Sequence, residues 1–248
     1  MRTGHAAQHW VEALTWPEVE QRVAGGAIAL LPIGAGAKEH GFHLPHGTDA
    51  IQARYYAEVL ARRFDGLIWP LVAYGYYPVF TDYPGSISLS ETSFKDVVGD
   101  ILAGIANCGV RAIAIINTGI STIAPLAALL DERACGVAVR LVNCYAGPRF
   151  AAGVAAQVEQ AFGGHADEVE TALMLAIDPA RVRSARAVAQ ATPIVRGRFN
   201  RRDPAGPNYS PSGANGDPTR ATAAKGQALL AALIDDLQAE LREFIAAL

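Results

Sequence analysis

Four short, largely apolar runs, at residues 27–33, 67–72, 112–116 and 137–142, constrain this chain more than any other feature of it. Each has the length of a strand and little alternation of polar with apolar residues, so each must be covered on both faces. Between them lie stretches of helical periodicity at 49–63, 93–108 and 123–133, the second closed by Gly109. Strands buried on both sides and joined through helices form a mostly parallel sheet with helices above and below it. The expected fold class is therefore α/β, a three-layer α/β/α sandwich.

The remaining segments fit around that sheet. Thr15, Pro17 and Glu18 form a capping-box start for a short helix that ends near Gly25 and Gly26. Helices are expected at 168–177 and 181–189, and a long amphipathic one at 219–247 to cover one sheet face. Residues 198–218, rich in Gly, Pro, Asn and Ser, lack periodicity and read as an ordered functional loop. There is no internal repeat, and 248 residues suit one α/β domain spanning 1–248.

A net charge of −3 offers no general attraction to nucleic acid or anionic lipid. Cys108, Cys135 and Cys144 are odd in number and not spaced as zinc ligands, which suits a reducing compartment. Residues 1–16 lack an apolar signal core, and every later apolar run is too short to span a membrane. A cytoplasmic protein with no membrane and no nucleic-acid partner is expected.

Chemistry concentrates in two places. Residues 38–49 hold His40, His43 and His46 with Glu39 and Asp49, and imidazoles with carboxylates are the usual ligands for zinc, manganese or iron. His40 and Asp49 are the preferred ligands; the alternative is that Thr48 or Asp49 caps the next helix, with Gln52 completing a box. Residues 164–171 gather His165, Asp167, Glu168 and Glu170 at a helix start, where capping and catalysis are again both open. Ser121 and Thr122 are helix caps or substrate contacts. Tyr74, Tyr76, Tyr77, Phe80 and Tyr83 form an aromatic cluster suited to a pocket wall, and Arg198, Arg201 and Arg202 could clamp an anion.

Residues 31–50 resemble the first signature of the creatininase family, with the fit carried by His40, Gly41, His43, Leu44, Pro45 and Asp49. The segments 83–89, 163–175 and 216–219 resemble further family motifs in the family's order, so the resemblance covers nearly the whole chain. It implies a layered α/β fold, often hexameric, with two metal ions bridged by an aspartate for hydrolysis of an amide-type carbon–nitrogen bond. On that basis Asp49 is the bridge, His40 and Glu168 are ligands of one ion, and His165 transfers a proton. Lys38 or Glu39 stands in the place of a family glutamate, and Tyr83 and His43 join Ser121 and Thr122 as substrate contacts.

Two departures concern the other ion. Lys38 aligns with its glutamate ligand, and Gly119 stands where its histidine ligand is expected. The resulting expectation is one divalent ion per chain, or none, with the Lys38 ammonium replacing the missing cation. The expected function is hydrolysis of an amide, lactam or cyclic amide in a small metabolite by a homo-oligomer, a hexamer by resemblance. The alternatives are a metal-free lyase or isomerase using Lys38 and His165, and a non-catalytic small-molecule binder.

Overall fold

The computed structural model describes residues 8–194 and 197–248. The first seven residues, on which part of the leader reading rests, lie outside the described residues.

Four strands, β1 (Ala29–Ile33), β2 (Leu67–Ile68), β3 (Ala112–Asn117) and β4 (Ala138–Asn143), form one parallel sheet in the order β2-β1-β3-β4. β1 is central, paired with β3 from Ala29↔Ile113 to Ile33↔Asn117. The run 67–72 is a strand only at its first two residues. Pro70 has no N–H to give to a ladder, and the chain rejoins β1 further on through a single bridge between Val72 and Ile33.

The alternation along β1 divides the core in two. Ile28 and Leu30 pack under α2 (Thr48–Phe64), α6 (Glu168–Ile177) and α7 (Ala223–Ala246), through Tyr56, Leu60, Leu173, Leu229 and Leu233. Leu31 and Ile33 face α3 (Glu91–Asn107) and α4 (Ile123–Glu132), through Phe94, Val98, Leu102 and Leu126. Helices thus cover both faces of the sheet, and the fold is the expected α/β/α sandwich.

The edge elements follow local chemistry. α1 (Trp16–Ala24) begins at the expected capping box, with the Glu18 carboxylate accepting from the Thr15 N–H. α5 (Pro148–Gln157), which the pattern did not announce, opens with Pro148 after Gly147. The helix expected at 181–189 is replaced by two single 3-10 turns, Pro179–Arg181 and Ser184–Arg186. Val188 is exposed, so the segment has no apolar stripe to dock. The last helix starts at Ala223 behind the Thr222 cap, because Pro218–Arg220 is already closed as a 3-10 turn by Asp217.

α6 and α7 cross with almost no space between them. A Cβ at Gly226 would stand 1.8 Å from the Ala172 carbonyl oxygen, so only glycine fits there. This contact fixes which side of α6 faces α7 and which faces the carboxyl ends of the strands. Among the described residues no helix is long and apolar enough to cross a membrane.

Candidate functional site

The polar residues gather at the carboxyl ends of β1 and β3, where open α/β sheets place their ligands. The chain leaves β1 through Gly34, and a Cβ there would meet the Asp49 carbonyl oxygen at 2.5 Å and Thr118 Oγ1 at 2.7 Å. That close approach folds the loop 34–47 back onto the first turn of α2. The capping reading of this loop gives way: Gly47 is the cap residue, Thr48 Oγ1 donates to the Pro45 carbonyl at 2.7 Å, and Asp49 turns inward. Gln52 completes no box either, since its Oε1 takes the Tyr145 hydroxyl.

Asp49 lies between two basic groups. Lys38 Nζ is 2.7 Å from Asp49 Oδ2, and His40 Nε2 is 3.1 Å from Asp49 Oδ1 and 3.6 Å from Glu170 Oε1. The Lys38 ammonium also stands over the rings of Phe80 and Tyr77, 5.0 and 5.7 Å from their centroids. Burial works against a charged Asp49, but Lys38 and His40 outweigh it and hold the carboxyl well below the usual carboxylate range. Burial would likewise depress Lys38, and Asp49 with Glu170 overrides it, so the ammonium is held above its ordinary value.

His165 belongs to a second pair. Its Nε2 lies 2.7 Å from Glu39 Oε1 and 2.9 Å from the Glu39 carbonyl oxygen, while Nδ1 is 3.8 Å from Glu170 Oε2. Glu39 Oε2 accepts from the Gly41 N–H at 2.9 Å and lies so close to Gly213 that a Cβ there would be 1.8 Å away. Burial opposes charge on both partners. The Glu39 carboxylate nonetheless raises His165, and His165 lowers Glu39. Both acceptors sit at Nε2, so that nitrogen carries a proton and Nδ1 is the one free to exchange.

The donor set fits a divalent cation. His40 Nδ1 is 2.9 Å from the Lys38 carbonyl oxygen, which can only accept, so this nitrogen carries a hydrogen. Nε2 faces the Asp49 carboxylate, also an acceptor, so the ring is either doubly protonated or bonded to a cation at Nε2. A carbonyl that fixes the far nitrogen is the usual support of a metal-bound histidine. Asp49 Oδ2 is paired with the Lys38 ammonium at 2.7 Å, which leaves Oδ1 as the oxygen turned toward His40 Nε2. Ligand atoms of His40, His165 and Glu170 all lie within 4.8 Å of one another.

Glu168 is not among these residues. Its Oε2 accepts from the N–H groups of Glu159 and Gln160 at 2.9 and 2.8 Å, and its Oε1 pairs with Lys225 at 2.5 Å, on the side of α6 that faces α7. The carboxylate beside the imidazoles is Glu170, which the sequence reading counted in its cluster but did not select. Helical spacing carries the signal. Glu168 and Ala172 share the face against α7, whereas Val169, Glu170 and Leu173 line the cleft.

The expected substrate contacts divide. Ser121 lines the cleft, although its hydroxyl donates to the Tyr76 carbonyl at 2.8 Å. Thr122 lies at the start of α4 without capping it; its hydroxyl faces Asn117 Oδ1 and the Gly119 carbonyl and holds the turn after β3. Tyr83 donates to the Ser210 carbonyl at 2.6 Å and His43 Nε2 lies 2.7 Å from Thr171 Oγ1, so both are buried supports beneath the cleft surface. The loop arginines also stand outside the cleft: Arg201 and Arg202 engage Asp82 instead. At Gly119 a Cβ would already meet Thr122 Oγ1 at 2.6 Å and the Tyr77 ring at 3.3 Å, so Thr122 and Tyr77 take up the space beside the position where the family's histidine was expected.

Comparison with known proteins gives a consistent result. The family model described as Creatininase, creatinine amidohydrolase, matches residues 12–241. Creatinine amidohydrolase of Pseudomonas putida is 32% identical over 114 residues, and this match spans only 44% of either chain. The mycofactocin precursor peptide peptidase of Mycobacterium ulcerans is 27% identical over 232 residues, 90% of this chain and 83% of the relative. A solved manganese form of creatininase superposes with a TM-score of 0.77 at 25% identity, over 95% of this chain and 98% of its own.

Proposed function

This chain belongs to the creatininase family, and from that premise we propose that it is a hydrolase of an amide-type carbon–nitrogen bond with one divalent ion at His40, Asp49 and Glu170. Relatives named as a creatinine amidohydrolase and as a peptide peptidase support hydrolysis while differing in substrate. The manganese form of creatininase supports a metal, with zinc and iron as the other candidates for this donor set. When bound, such an ion supplies Lewis acidity toward the scissile carbonyl and acidifies a water.

The protein's own groups do the rest. Lys38 keeps Asp49 ionised and provides a fixed positive charge where the resemblance expects a second ion. Glu39 holds the Nε2 proton of His165 and so orients the ring, leaving Nδ1 to pass a proton to the departing nitrogen. Phe80 and Phe199 pack against the His165 ring, at 4.3 and 5.8 Å between centroids, the first tilted and the second edge-on, and bury it. The proposal extends to a small-molecule substrate, one domain, a homo-oligomer, hexameric by resemblance, and a cytoplasmic location.

One observation carries this reading: the two nitrogens of His40 both face acceptors, which calls for a second proton or a cation at Nε2, and the metal is the occupant that the manganese form of creatininase favours. Elemental analysis of untagged protein loaded with manganese or zinc is expected to give about one ion per chain, with amide hydrolysis that a strong chelator abolishes. No metal under any loading condition would contradict it. The Lys38–Asp49 ion pair favours a second reading, metal-free catalysis by Lys38 and His165. Turnover that survives chelation would select that version.

A further inference from the structure

The cleft above the cluster has a volume of about 450 Å³, within the range of clefts that enclose a whole small molecule, roughly 300–1,000 Å³. Its floor is polar but its walls are not. Phe80 and Phe199 pack against one another with tilted rings, centroids 5.1 Å apart, beside His165. Tyr145, Phe150, Val154, Val169 and Leu173, from the loop after β4 and from α5 and α6, supply the other apolar lining. Tyr145 spends its hydroxyl on the buried Gln52, so it offers the cleft a ring and no free donor.

The charges in the lining are equally selective. Among the described lining residues the basic groups are Lys38 and His165, already committed to Asp49 and Glu39, while Asp49, Asp167 and Glu170 are all acidic. Asp167 is itself occupied by Gln160 and by the N–H groups of Gly164 and Glu170. Apart from the proposed ion at the floor, which the scissile carbonyl would engage, an anionic group in this cleft would find no unpaired basic side chain and would lie near the Glu170 carboxylate. An uncharged apolar group would find aromatic and branched side chains on its way to the polar floor.

We propose that the substrate buries an uncharged apolar group, about the size of a phenylalanine side chain, against these walls while its amide meets the floor, and that the cleft discriminates against a carboxylate near the scissile bond. This rests on the hydrolase reading for the identity of the scissile group, but the apolar preference is a property of the walls. Val154, half-buried and on the lining, is a specificity-determining position.

Calorimetric binding of acetamide, 3-phenylpropionamide and succinamate to metal-free and manganese-loaded protein tests the inference directly. The phenyl amide is expected to bind at least about thirtyfold more tightly than acetamide, as its added buried area requires, with succinamate no tighter than acetamide. Val154→Lys should weaken the phenyl amide about tenfold or more and strengthen succinamate, with an unchanged circular dichroism spectrum. Should that variant misfold, the three-ligand ranking in the unaltered protein decides alone. Equal binding of all three, or tightest binding of succinamate, overturns the inference. Hydrolysis is followed in the same samples: the ranking without turnover counts against the hydrolase reading only, and turnover without the ranking counts against this inference only.

Discussion

The first turn of α6 separates two charge clusters that look alike in sequence and differ in what they leave unfinished. On the side facing α7, Glu168 is fully buried, yet both of its oxygens are met, one by Lys225 and the other by the amides of Glu159 and Gln160. On the cleft side, Glu170 accepts from the Ala166 N–H and faces His40 and His165, and the two nitrogens of His40 both meet acceptors. Burial and charge density are common to both clusters. A histidine faced by acceptors on both nitrogens belongs to one of them, and it marks the side built to receive a cation or a proton.

If the inner cluster is as tightly coupled as its geometry indicates, Asp49→Ala should carry the largest penalty. It strands the buried Lys38 ammonium and should cost about 3–5 kcal/mol in denaturant unfolding. Adding Lys38→Met should recover most of that loss, and a stable single variant would break the comparison. His43 is the neutral member of this region: burial pushes its imidazole down to about 4, while Thr171 meets its Nε2. Its folded pKa is depressed, so the unfolded chain binds the extra proton between about pH 6.5 and pH 4, and stability falls as pH drops through that window. The loss should reach about 3 kcal/mol at the lower end, and His43→Gln should flatten the profile; an unchanged profile would assign the acid sensitivity elsewhere.

The two glutamates sharpen the contrast further. Glu170→Gln should weaken manganese binding by about a hundredfold or more, at least what the loss of a supporting group around a metal costs. Glu168→Gln should leave that affinity essentially intact and cost about 1–2 kcal/mol of stability through its weakened bond to Lys225. Metal titration and unfolding of both variants, side by side, read the two effects. Equal metal losses would erase the distinction between the clusters.

Much of the fold was legible because β1 and β3 are continuous apolar segments that can only be buried. The central position of β1 was not, since nothing local in a parallel strand records its neighbours. Residues 181–189 carry helical periodicity, but they find no surface to pack on and stay as turns. In the site, Lys38, His40, Asp49 and His165 were legible from their loops, while Glu168 was chosen over Glu170. The reason is physical: Ala166 has a φ of +46°, the chain reverses there, and His165 lies off the helix. The spacing from His165 therefore does not indicate which glutamate shares its side. The identity of the facing residue depends on how closely α6 meets α7 at Gly226, a tertiary contact.

Anomalous scattering from a manganese-soaked crystal of the full chain tests the central claim most directly. The account predicts a single peak per chain within bonding distance of His40 Nε2, Asp49 and Glu170, with Lys38 still on the far oxygen of Asp49. A peak at Glu168, or a fully soaked crystal with none beside His40, would contradict it.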